Sequence, residues 1–108
     1  MLYKVEAKFD NDLVEEFFIK LTNGTIKNQK PDGEEIVASM RRAKIKDNQT
    51  LEWYEQCFCA TPLKHERETI YDTYLYDFKT TLLDEVKDDI EGDSFWDYME
   101  SKLNSSTP

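Results

Sequence analysis

Histidine occurs once in this chain, cysteine twice, and glycine and proline three times each. With a single histidine, His65 is the only imidazole available as a base near neutral pH, and zinc sets built on several histidines are excluded. Two cysteines cannot form the disulfide framework of a small secreted scaffold. Gly24 and the Asp32-Gly33 pair lack both the glycine spacing and the Lys-Ser/Thr ending of a phosphate-cradling loop. No apolar run approaches the ~18 residues of a membrane-spanning helix. Met1-Leu2-Tyr3-Lys4 leads straight into alternating residues rather than a secretory leader. These absences predict a cytoplasmic protein that does not enter the membrane.

What remains is aromatic and acidic. The 108 residues suit one domain, and 13% aromatics argue against disorder, so much of the core must be Phe, Tyr and Trp. The net charge is −9. Residues 1–50 hold nine basic and nine acidic side chains, whereas residues 51–108 hold five and fourteen, so the whole imbalance lies in the second half. Such a field repels nucleic acid and anionic membranes and suits a basic protein partner, besides keeping the chain soluble. The one basic cluster, Arg41, Arg42, Lys44 and Lys46, sits where cations offset a helix dipole or meet the acidic half.

Hydrophobic periodicity predicts the elements. Tyr3, Val5, Ala7 and Phe9 alternate with Lys4, Glu6 and Lys8, the pattern of a half-buried strand over 2–9. Leu13, Val14, Phe17, Phe18 and Leu21 form the inner stripe of a helix near 12–22, with Asp12 as its cap and Asn23-Gly24 as its end. A short strand is expected at 25–29. A second helix is expected near 33–44, with a stripe of Ile36, Val37, Met40 and Ala43 and a capping box of Asp32 and Glu35. Residues 50–59 read as a strand with mixed faces, Leu51, Trp53, Glu55, Cys57 and Cys59 on one side, which suits the middle of a sheet. Over 68–79 the signals conflict: Ile70, Tyr71, Tyr74, Leu75 and Phe78 have a helical period, but Tyr and Thr favour a strand, and strand is the reading adopted. Residues 84–93, with six carboxylates and one lysine, form an acidic loop that fails the EF-hand pattern. Asp93-Ser94 caps a last helix near 94–103, with Phe95, Trp96, Met99 and Leu103 inside.

The predicted fold is therefore α+β: one domain over 1–103, with a mainly antiparallel sheet of three or four strands covered by about three helices and a disordered tail at 104–108. A ferredoxin-like arrangement fits this order of elements. Aromatic strands with so many apolar faces also point to a homodimer.

Chemistry-bearing residues concentrate in 50–78. Cys57 and Cys59 would share one face about 6.5–7 Å apart at Cα, a poor disulfide geometry. With His65 they give only three ligands of a closed zinc site, and Glu66, Glu68 or Asp72 would have to supply a fourth. A Cys–His nucleophile pair oriented by Glu66 is a further option, and a ligand pocket around Trp53, Cys57, Cys59, His65, Arg67 and Tyr71 another. None of these makes a coherent catalytic set, so no catalytic residue, metal or cofactor is expected. The sequence reads first as a non-catalytic protein-interaction module and second as a small-ligand binder or small enzyme using Cys57, Cys59, His65 and Arg67.

Overall fold

The computed structural model describes residues 1–47, 49–57, 60–86 and 88–105. Strand β1, Leu2–Phe9, follows its alternation: Tyr3, Val5, Ala7 and Phe9 are buried. Helix α1, Val14–Thr22, is entered through a 3-10 turn at Asn11–Leu13 and buries Val14, Phe17, Phe18 and Leu21. The cap lies two residues earlier than expected and serves the 3-10 turn, because the Asp10 carboxylate accepts the Asp12 N–H at 2.9 Å. The helix ends as the sequence indicated, with Asn23 N–H donating to the Ile19 carbonyl and Gly24 at φ 92°.

No strand forms at 25–29. Ile26 is the only apolar side chain there and is fully buried, so there is no alternation to lay on a sheet. Local turns pair the backbone instead, Asn28 N–H with Gly24 and Gln29 N–H with Ile26. Helix α2, Gly33–Arg42, buries Ile36 and Met40, and Ala43 is buried just beyond it. The expected capping box is absent, since no side chain caps this helix. Lys44 leaves it for strand β2, Lys44–Asp47.

Strand β3, Thr50–Gln56, lies between β1 and β2, in the central position its mixed faces imply, but stops short of Cys57. The segment expected as one strand over 68–79 divides. Residues 64–74 form a helix, α3, with a π-helical turn at Arg67–Tyr71 between α-helical ends, and strand β4 occupies Leu75–Leu83. Strand β5, Asp93–Ser94, adds to β2 and leads into helix α4, Phe95–Ser105. Ser94 Oγ accepts the Asp97 N–H at 3.2 Å, the predicted cap. Helix α4 takes Asn104 and Ser105 out of the expected tail; the tail's last three residues, like Cys59, lie outside the described residues.

The sheet is antiparallel in the order β4-β1-β3-β2-β5, so the molecule is a single α+β domain with five strands and four helices among the described residues, one strand and one helix more than the largest expectation. Helices cover the face carrying Tyr3, Val5, Ala7 and Trp53; the other face carries Lys4, Glu6 and Lys8 and ion pairs such as Lys4–Glu52 at 2.7 Å. The core is aromatic, with Phe17 stacked on Tyr74 at 4.5 Å and Phe9 tilted on Phe95 at 5.0 Å. No helix among the described residues is long and apolar enough to cross a membrane.

Candidate functional site

The end of β3 and the starts of α2 and α3 enclose a cleft of about 360 Å³ lined by Pro31, Asp32, Glu35, Gln56, Cys57, His65 and Glu66. Two of the six sequence candidates line it, Cys57 and His65. Leu63, buried and left-handed at φ 56°, turns the chain sharply into α3. Its N–H points at Cys57 Sγ, 3.4 Å away, and the Cys57 thiol faces Glu66 Oε2 at 3.8 Å. One residue earlier, His65 Nδ1 lies 2.7 Å from Asp32 Oδ2. Asp32 thus leaves its expected capping role to hold a histidine, and only the histidine's own uniqueness in the sequence hinted at it.

The charges in the cleft are coupled. Hydrogen bonding to Asp32, and then its charge, raise the His65 pKa and favour the imidazolium. Burial raises that of Glu66, and the Asp32 charge adds to it. Asp32 Oδ1 is buried and has no hydrogen-bond partner among the described residues. Glu35 closes one wall, its Oε2 accepting from Arg42 at 2.7 Å and from the Gln56 N–H at 3.1 Å.

Beneath the cleft lies a second carboxyl that sequence reading placed only on a mixed strand face. Glu55 is fully buried, and its Oε1 accepts from Trp53 Nε1 and from Tyr71 OH, each at 2.7 Å. Its Oε2 has no hydrogen-bond partner among the described residues. Burial pushes its pKa up to about 7, and the same burial, with Glu55 alongside, raises that of Tyr71 well above its usual range. The signal was a lone glutamate among Leu51, Trp53 and Cys57 on one side of a strand.

The remaining candidates fall elsewhere. Trp53 and Tyr71 are wholly buried with ring centroids 5.7 Å apart. Arg67 points away, bonded to Asp72 at 3.0 Å and lying 4.5 Å over the Phe78 ring. Among the described residues no group of three or more His, Cys, Asp and Glu is placed to hold a metal. The basic cluster is occupied structurally: Arg41 stacks 4.2 Å over Trp96, Arg42 bonds Glu35 and the Tyr54 carbonyl, and Lys46 reaches the Glu91 carbonyl.

A second region stands out on the surface. Five large apolar side chains are exposed among the described residues: Met1, Ile19, Tyr76, Leu82 and Val86. Three lie on β4 or in the loop after it, and Met1 precedes Leu2, which pairs with Leu83. Asp84, Glu85, Asp88, Asp89 and Glu91 in the following loop, and Asp93 at the start of β5, are all exposed. The loop is pinned to the sheet's outer face, with Tyr54 OH donating to the Asp88 carbonyl at 2.7 Å and Gly92 packed so closely on Ile45 that a Cβ would come within 2.4 Å of its carbonyl oxygen. The chain matches no protein-family model, no curated protein and no solved structure.

Proposed function

We propose that this protein is a non-catalytic, cytoplasmic interaction module that holds a basic protein partner on β4 and the acidic loop. The observation that carries this reading is that three of the exposed apolar side chains, Tyr76, Leu82 and Val86, lie on β4 or in the loop after it, and that this loop carries five exposed carboxylates from Asp84 to Glu91. An apolar centre with a charged rim is the usual anatomy of a protein interface, whereas solubility alone needs the carboxylates but not the leucine and valine. The strand order β4-β1-β3-β2, with helices between β1 and β2 and between β3 and β4, supports a ferredoxin-like reading of the fold, extended by β5 and α4. That arrangement hosts many functions, so the surface must decide.

The test is a pull-down from the native cell at low and high salt, with the wild type and a Leu82→Asp/Val86→Asp variant. One stoichiometric partner, weakened by salt and lost by the variant, is the expected result. A partner indifferent to both overturns the reading; recovery of this chain alone moves the surface to self-association.

A small ligand in the Cys57–His65 cleft is the second reading, favoured by the cleft's volume and its coupled acids. It requires a metabolite that raises the melting temperature and slows alkylation of Cys57, which is only 1% exposed.

A further inference from the structure

Strand β4 closes one end of the sheet: β1 pairs with one side of it, and among the described residues no strand pairs with the other. Exposed edges invite additional strands, and proteins guard them with bulges and lysines. Here the guards stand only at the strand's start. Two residues, Asp77 and Phe78, oppose Ala7 in a bulge with Asp77 at φ 55°, and Lys79 follows, 79% exposed. Beyond it, Thr80, Thr81 and Leu82 are exposed and unguarded, and all three types suit a strand or its rim.

The side chains there also lack cover. Thr80 pairs with Val5 and Leu82 with Tyr3, both of which are buried under the helices. The helical layer covers the start of β4, where Leu75 is buried and Phe78 packs on the core, but leaves this face open at Thr80 and Leu82, with Leu82 56% exposed. Immediately past the strand come Asp84 and Glu85, and the same loop carries Asp88 and Asp89 on across the outer face toward Tyr54 of β3. This charge selects the occupant: a second copy would bring its own net −9 to the same edge, whereas a basic chain gains.

We propose that a basic, extended segment of a protein partner adds antiparallel to residues 80–83 of β4 as a sixth strand. Antiparallel entry puts the segment's N-terminal flank over the acidic loop, so its lysines or arginines precede an alternating apolar run. Cross-strand pairing then sets an apolar residue on Leu82 and an acid opposite Lys79. The inference rests on the interaction reading but is narrower, because a partner could use the acidic loop without adding a strand.

A peptide tests it. KKKLYKVEAKF copies Leu2–Phe9, whose register against β4 already sets Tyr3 on Leu82 and Glu6 on Lys79, behind three lysines. It is titrated into the isotopically labelled full chain beside a copy N-methylated at alternate amides, which keeps charge and side chains but cannot form a ladder. The expected result is binding of the first peptide, about tenfold slower exchange of the outward amides in residues 80–83 at nine-tenths occupancy, and at least about tenfold weaker binding of the second. Equal binding of both peptides, with shifts confined to the loop, overturns strand addition and leaves the acidic interaction surface standing. Absence of binding at millimolar peptide also overturns strand addition, and the pull-down then decides the broader reading separately.

Discussion

Glu55 is the residue whose environment departs furthest from what its chemistry favours. A carboxylate in a dry core costs several kcal/mol unless it is neutralised, and the indole and phenol that meet Glu55 each supply only one neutral donor to the same oxygen. The group therefore keeps its proton to about pH 7. A raised folded-state pKa stabilises the fold fully below the unfolded value near 4.5, and that contribution is lost as pH climbs through the folded value. Stability is accordingly expected to fall between about pH 4.5 and pH 7, by up to roughly 3 kcal/mol from this residue. Glu66 and His65, both raised, act in the same direction. Glu55→Gln keeps an oxygen for Trp53 and Tyr71 and has no proton to lose. Urea unfolding from pH 5 to 7.5 is expected to show a clear decline in the wild type and a much flatter profile in the variant. A wild-type profile that rises over this range would mean that Glu55 is solvated and ionised.

Among the elements, those with an uninterrupted period were legible in the sequence and those where the period changes were not. Strand β1 and the buried stripe of α1 follow directly from residues 2–21, because one face of each is apolar throughout. Residues 68–79 defeated a single assignment because both signals are correct in turn: Ile70, Tyr71 and Tyr74 serve a helix, and the β-prone residues after it serve β4. The cleft was legible only in part. Cys57, His65 and Glu66 lie within ten residues of one another, but Asp32 reaches them from α2 through a contact no local pattern encodes. The start of α2 shows the same limit of local rules. Helix propensity alone favours Ala over Gly by about 1 kcal/mol. A Cβ at Gly33, however, would fall 2.0 Å from the Ile26 carbonyl oxygen, within the turn that replaced the expected strand. Steric overlap with backbone wins, so Gly33→Ala is expected to destabilise by about 1–3 kcal/mol. Chemical denaturation against the wild type checks this; a stabilised variant would show that the 25–32 turn yields easily.

On the scale of the whole molecule, charge and apolar surface separate into different roles. The first half of the chain is neutral and supplies β1, α1 and α2, whereas the second half carries the net −9 and places five exposed carboxylates between β4 and β5. Exposed charges act through solvent over about a Debye length of 8–10 Å, so they govern how quickly a basic partner arrives. Leu82 and Val86 act only on contact, so they govern how slowly it leaves. The two contributions are separable by kinetics with the partner recovered in the pull-down. Changing Asp84, Glu85, Asp88 and Asp89 to their amides is expected to slow association at least about tenfold at low salt, with dissociation nearly unchanged. Leu82→Asp is expected to do the reverse, speeding dissociation while adding one more charge to a surface that already steers the encounter. Should the amide variant instead accelerate dissociation alone, the carboxylates make direct ion pairs in the complex, and the acidic loop is part of the contact itself rather than a guide to it.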